Sequence, residues 1–174
     1  SNDGTLLRGF QKHGLRVLGV DPACEIAQKA TESGIETWPE FFTLAVARRI
    51  REQRGPACVV TCFNAFAHAD DMAGLADAIR EVLAPDGVFV FEVSYLLDIV
   101  DHMLLGTIFH EHLCHHSVKP MAQFLRRHGM EMIDVQRVPM QGGSFIAAAQ
   151  HSGGPHPVLP SVGDLLELEK TRGL

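Results

Sequence analysis

The chain has 174 residues, of which 46% are hydrophobic and 21% charged, and a formal net charge of -6. That length suits one ordinary domain able to bury about 70% of its unfolded surface, and the composition excludes a disordered chain. A net acidic chain without a Lys/Arg run is a poor partner for nucleic acid, which is held through basic patches that displace counterions. Cys24, Cys58, Cys62 and Cys114 have no C-x-x-C spacing, so they read as reduced thiols and not as a zinc knuckle or a disulfide framework. With no apolar run of membrane-spanning length and no basic-then-apolar leader, the expectation is a cytoplasmic protein with no membrane partner.

The turn-rich opening Ser1-Asn2-Asp3-Gly4 precedes an amphipathic helix over residues 5–13, which Gly14 stops. Residues 16–20 form a short apolar strand ending in Asp21-Pro22, where proline suits the first position of a helix running to Ser33. A further helical pattern covers 41–54; Phe41 and Phe42 read as core residues. Residues 57–62 are a continuous apolar run, the kind of strand buried on both faces of a parallel sheet. A helix is predicted over 72–83, a turn at Ala84-Pro85-Asp86-Gly87, and a strand over 88–93. Another helix is expected over 95–105, and one over 118–128 ended by Gly129. The strands 130–138 and 144–150 are joined by a connection too short for a parallel crossover, so they pair antiparallel. Strand–helix alternation followed by this hairpin predicts an α/β fold, a doubly wound sheet with an antiparallel edge. Residues 151–157 read as a linker, and one more helix begins near Ser161.

Between residues 106 and 117 lies the densest set of proton-handling groups: His110, Glu111, His112, Cys114, His115 and His116. Imidazole titrates nearest neutral pH, so such a cluster suits general acid–base work. A zinc site on a helix asks for His-Glu-x-x-His, and the order here is His-Glu-His. On an extended segment His110 and His112 point to opposite sides, which argues against both binding one ion. A polar loop with merely hydrogen-bonded histidines is the alternative.

In a doubly wound sheet, ligands bind beyond the carboxyl ends of the strands. Asp21 follows a strand, where an acid accepts both hydroxyl hydrogens of an adenosine ribose; capping the helix that Pro22 starts is its other ordinary use. Asn2, Asp3 and Gly4 precede a helix whose exposed amides and small residue admit a ligand. Asn64, Ala65 and His68 follow the third strand, and Glu92 the fourth.

Six segments in order carry a resemblance: Ser-Asn-Asp-Gly-Thr-Leu-Leu at 1–7, Val-Leu-Gly-Val-Asp-Pro-Ala at 17–23, Asn-Ala-Phe-Ala-His at 64–68, Pro-Asp-Gly-Val-Phe-Val-Phe-Glu-Val at 85–93, His-Glu-His at 110–112 and Gly-Gly-Ser at 142–144. Together they resemble the sugar C-methyltransferase family, class I S-adenosylmethionine-dependent enzymes that methylate carbon in nucleotide-linked 4-keto-deoxysugars. The resemblance spans essentially the whole chain. It implies a Rossmann-like class I methyltransferase sheet whose first, central strand precedes Ser1 and is missing from the chain. It divides the chain into a methyltransferase domain over 1–150 and, over 151–174, a linker with the start of a C-terminal domain. Family members also carry an N-terminal zinc-binding region, so zinc is expected only there. Without the central strand, neighbouring strands lose a ladder partner, and the isolated 174 residues are expected to fold poorly.

The resemblance also implies roles. His112 is the base that removes the proton beside a ketone, Glu111 orients it or shares its proton, and His68 contacts the keto oxygen or sugar hydroxyls. Ser1, Asn2, Asp3 and Gly4 lie against the amino-acid portion of S-adenosylmethionine, Asp21 holds its ribose, and Asn64 with Ala65 borders the adenosine. Glu92, Tyr95, Phe109 and His110 line the pocket of a small-molecule nucleotide sugar. Phe109 stands where the family usually has tyrosine, which removes one hydrogen-bond donor, and Cys114-His115-His116 departs from a more aromatic pattern. A class I methyltransferase for another acceptor and a non-catalytic cofactor-binding module are the competing readings; a metal hydrolase ranks below both.

Overall fold

A computed structural model describes residues 2–108, 110 and 112–174; Ser1, Phe109 and Glu111 lie outside the described residues, as does the side chain of Ala67. The expected alternation is present. In chain order the elements are α1 (Thr5–Lys12), β1 (Gly19–Val20), α2 (Cys24–Glu32), β2 (Thr37–Trp38), α3 (Leu44–Arg54), β3 (Ala57–Phe63), α4 (Met72–Val82), β4 (Leu83–Ser94), α5 (Leu96–Asp101), α6 (Val118–Arg127), β5 (Met130–Val138), β6 (Ser144–His151) and α7 (Pro160–Thr171). Single 3₁₀ turns stand at Phe66–His68, Leu105–Thr107 and Met140–Gly142.

Local chemistry sets the helix ends. The Thr43 side chain accepts from the Val46 amide at the start of α3, and Gly55 closes it in the left-handed region (φ 84°). Asp71 caps α4 by accepting the Gly74 amide at 2.8 Å, and Pro160 opens α7.

The strands form two sheets. β1 and β2 pair in parallel, and four strands stand in the order β3-β4-β6-β5. β3 and β4 are parallel, while β4–β6 and β6–β5 are antiparallel, as the short 138–144 connection requires. Among the described residues no strand joins β1 to β3, so the doubly wound order is split there. The same break explains why β3 is not buried on both faces. It pairs only with β4, and Val59 is 42% exposed.

Three other expectations are corrected. Residues 84–87 are not a free turn but an excursion within β4, where the register jumps from Ala57 opposite Leu83 to Val59 opposite Val88. The strand over 16–20 is reduced to Gly19–Val20, because β2 offers only two partner residues. The helix over 95–105 ends at Asp101, where Met103 takes a left-handed φ of 51° and a 3₁₀ turn follows.

Phe66, Phe89, Phe91 and Phe145 are fully buried and meet at centroid separations of 5.0 to 6.2 Å. Burial of each such ring contributes about 1.5–3 kcal/mol. They join β4 and β6 to α4, α6 and the Phe66–His68 turn, so the core fixes the chain that follows β3. α7 packs on this core through Val162, Leu165 and Leu166.

Candidate functional site

The carboxyl ends of β1 and β3 carry the residues predicted to hold a cofactor. Asp21 directly follows β1, its backbone amide donating to the Trp38 carbonyl at 3.0 Å. Its Oδ2 accepts the Asn2 amide at 2.7 Å, and its Oδ1 the Ala23 amide at 3.0 Å. The carboxylate therefore closes a turn ahead of α2, whose cap position is Ala23 and not Asp21, and also ties the Asn2-Asp3-Gly4 turn to the end of β1. Two segments 19 residues apart, both assigned to the cofactor from sequence, are brought together by one side chain.

Within the turn, Asn2 has φ 52° and Gly4 φ 79°. A Cβ on Gly4 would lie 2.9 Å from Cγ2 of Ile35, so the close approach that demands glycine is to the core and not to a ligand. Asp3 accepts the Thr5 amide at 3.0 Å, and that bond holds its carboxyl below the usual carboxylate range.

At the end of β3, Asn64 adopts φ 52°, its amide donating to the Glu92 carbonyl at 3.0 Å. This left-handed residue turns the chain out of the sheet. Ala65 and His68 follow on the surface, while Phe66 between them is fully buried and anchors the turn.

That turn presents His68 to the histidine segment. The His68 and His112 rings lie 5.0 Å apart between centroids, and His112 and His115 lie 6.0 Å apart. His112 Nδ1 is 2.9 Å from the Thr107 carbonyl oxygen. A carbonyl only accepts, so Nδ1 carries the hydrogen and the lone pair of the neutral ring falls on Nε2. The residue predicted to be a base is held in the tautomer a base requires. His110 is exposed, in a turn two residues away. Glu111 and Phe109 lie outside the described residues, as does Ser1.

His116 closes the segment. It is 7% exposed, its ring edge meets Phe66, and its Nε2 lies 3.5 Å from Cys114 Sγ. Burial, aided by His115 and His112, lowers its pKa to about 4. It is a neutral structural imidazole.

Glu92 and Tyr95 are placed differently from expectation. Glu92 lies within β4 and not after it, opposite Phe63 and Ile146. It is 2% exposed, and its Oε1 has no hydrogen-bond partner among the described residues. A buried carboxylate oxygen left unpaired is costly. Tyr95 is fully buried, ring to ring with Phe145 at 5.5 Å and under the Arg137 guanidinium at 5.7 Å. Burial, then the Glu169 charge, pushes its phenol well above the ordinary value. It is a core residue behind the site and does not line an open pocket.

Sequence reasoning missed the supports. Asp98 on α5 is almost fully buried and receives both Nε (3.0 Å) and a terminal nitrogen (2.5 Å) of Arg137 from β5. Gly143, at φ 146°, allows this, since a Cβ there would overlap Cβ and Cγ of Asp98. The Gly143 carbonyl in turn accepts the Tyr95 amide. The apolar setting of Asp98 within Leu96-Leu97-Asp98-Ile99-Val100 is the signal that could have identified it.

For S-adenosylmethionine the residues fit in kind: a carboxylate at a strand end suits a vicinal diol, the Asn2 turn is tied to the end of β1, and the Asn64 turn follows β3. Among the described residues, no group of three or more His, Cys, Asp or Glu is arranged to hold a metal ion.

Comparison with known proteins bears on the family and the fold. Over its full length the chain is 36% identical to the C-methyltransferase NovU of Streptomyces niveus, and it spans 41% of that relative's length. Solved structures with the same fold include a SAM-dependent methyltransferase from Anabaena variabilis (TM-score 0.66, 18% identity, 86% of this chain and 74% of that one). They also include the PH0226 protein from Pyrococcus horikoshii (TM-score 0.65, 15% identity, 86% and 78%). A third is the 1,6-didemethyltoxoflavin-N1-methyltransferase of Burkholderia thailandensis, solved with S-adenosylhomocysteine (TM-score 0.60, 19% identity, 86% and 67%). A family model described as a methyltransferase domain matches residues 1–135, and the chain belongs to that family, S-adenosylmethionine-dependent methyltransferases of the class I fold.

Proposed function

We propose that this chain is the catalytic domain of a carbon methyltransferase acting beside the keto group of a nucleotide-linked deoxysugar. The observation that carries the reading is the setting of His112: its Nδ1 hydrogen is committed to the Thr107 carbonyl, and its ring stands beside His68 from a different part of the chain. The 36% identity to a C-methyltransferase supports carbon as the acceptor.

The cofactor supplies an electrophilic methyl group on a sulfonium sulfur. Asp21 would hold its ribose, Asn2, Asp3 and Gly4 would border its amino-acid portion, with Ser1 beside them, and Asn64 with Ala65 its adenosine. His112 Nε2 takes the proton from the sugar carbon next to the ketone, leaving an enolate whose carbon is the nucleophile; a general base of this kind contributes about 10²–10⁴ in rate. His68 donates to the enolate oxygen, where charge develops. Glu111 orients His112. Glu92, Phe109 and His110 would border the sugar, with Tyr95 supporting the pocket from behind. The proton gained by His112 leaves to solvent after transfer.

The methyltransferase domain is assigned to 1–150 together with α7, which packs on the same core, and the protein to the cytoplasm. No helix among the described residues is long and apolar enough to cross a membrane. A different acceptor is the second reading, favoured by Phe109 and by Cys114-His115-His116, which depart from the sugar enzymes' pattern.

The test is to give the intact protein S-adenosylmethionine labelled in its methyl group, with a panel of nucleotide-linked 4-keto-deoxysugars, and to locate the label by mass spectrometry and NMR. Label on a ring carbon beside the ketone is expected. Label on oxygen or nitrogen, or on none of the sugars despite cofactor binding, overturns the reading in favour of another acceptor or a non-catalytic module.

A further inference from the structure

The first turn of α6 has no cap of its own. Ser117 occupies the cap position in extended conformation (φ -129°, ψ 163°), and its side chain bonds none of the helix amides. Those amides must find acceptors elsewhere, since the first turn of a helix has no internal partners. They find them on α7. Glu169 Oε1 accepts the Val118 amide at 2.5 Å, and Oε2 accepts the Lys119 amide at 2.9 Å.

Glu169 is fully buried. A carboxylate in such a place is expensive unless hydrogen bonds and a compensating charge receive it. The two amides and the positive end of the α6 dipole do so. The residue is thus a helix cap supplied from 50 positions away in sequence.

What this cap fastens is the histidine segment. His116 directly precedes Ser117; its carbonyl accepts the Leu96 amide at 2.8 Å, and it bridges to Tyr95. Upstream, His112 is held at the Thr107 carbonyl. His112 therefore lies between two fixed points, the Leu105–Thr107 turn and the first turn of α6. Only the second of these anchors depends on a side chain from outside the segment and its neighbouring strand.

We propose that Glu169 is a positioning residue for the reaction segment: by fixing the first turn of α6 it holds His112 in register against Thr107. Its catalytic consequence rests on the reading of His112 as the base. A role confined to gluing α7 onto the core would lower stability without altering His112.

The experiment uses Glu169→Gln in the intact protein. Glutamine keeps the size and one acceptor but turns an amide NH₂ toward a helix N–H. Expected are a loss of kcat of about tenfold or more, with KM for the sugar and the Kd for S-adenosylhomocysteine changed less than about twofold. In ¹⁵N-histidine NMR spectra the His112 signal should lose Nδ1-protonated tautomer. Adding Ser117→Asp supplies a local acceptor at the cap position and should restore kcat to within about threefold of the parent. An unchanged His112 signal in Glu169→Gln overturns the proposal, as does a loss of kcat that follows thermal stability alone and is not restored by Ser117→Asp. If Glu169→Gln disturbs the His112 signal while removal of the His112 base leaves turnover intact, the positioning role stands and the assignment of His112 as the base fails.

Discussion

His112 Nδ1 donates to the Thr107 carbonyl oxygen across 2.9 Å, five residues back along the chain. The contact is local, yet it decides which ring nitrogen is basic, and it is available only because the 3₁₀ turn at Leu105–Thr107 aims that carbonyl back at the segment that follows. The backbone at Thr107 therefore contributes to both the orientation and the tautomer of His112.

That arrangement makes His112→Asn more informative than alanine. Asparagine places its NH₂ near the position of Nδ1 and keeps the bond to Thr107, but it has nothing at the position of Nε2. The expected outcome is a fall in kcat of about 10²–10⁴ with cofactor affinity retained. Single-turnover rates and calorimetry with S-adenosylhomocysteine measure the two quantities separately; a variant that turns over like the parent would remove His112 from the chemistry.

Asp21 joins two structural bonds to its proposed ligand role, and substitution separates them. Asp21→Asn keeps one acceptor oxygen but loses the charge, so the Asn2 or Ala23 bond weakens and stability falls by about 1 kcal/mol. If the carboxylate also receives the ribose hydroxyls, affinity for S-adenosylhomocysteine falls by about 10- to 100-fold, as expected for charged hydrogen bonds. Unchanged affinity with lowered stability would leave Asp21 as a structural tie alone.

What was legible beforehand follows from the range of the interactions. The β5–β6 hairpin and α4 were read correctly because alternation, helical spacing and a short connection are local. The contacts that tie α5 to β5 and α6 to α7 were not. Asp98 and Arg137 are 39 positions apart, and Glu169 and Lys119 are 50; an acid in a helix reads as a solvated face until the partner that buries it is known. Tyr95 was mistaken for a pocket wall for the same reason, since Phe145 and Arg137 that enclose it lie on the distant hairpin. The His68–His112 pair was assigned through family motifs, and no periodicity would have joined them.

Gly143 makes the dependence of that support on a single position measurable. Its φ of 146° is poorly open to other residues, and a side chain there would displace Asp98 from Arg137. Gly143→Ala is expected to destabilise the fold by at least about 3 kcal/mol, the scale of breaking a buried ion pair. Denaturant unfolding of the intact protein gives the value, and a loss below about 1 kcal/mol would mean that α5 and the hairpin adjust more easily than the contact implies.

His116 links stability to pH with a definite sign. Burial lowers its pKa to about 4, whereas in the unfolded chain it titrates near its ordinary value of 6.5. Between these values the unfolded state binds the proton that the folded state refuses, so acidification favours unfolding. Its contribution is complete above about pH 6.5, declines as the pH falls toward 4, and changes no further below that; the full difference is on the order of 3 kcal/mol. His116→Gln has no group to protonate at this position. Thermal midpoints measured from pH 7.5 to 4.5 should therefore fall more steeply for the parent than for the variant, with the curves converging toward the acid end. Parallel curves would show that His116 admits a proton in the folded state, and that its contacts with Phe66 and Cys114 do not exclude water from the ring.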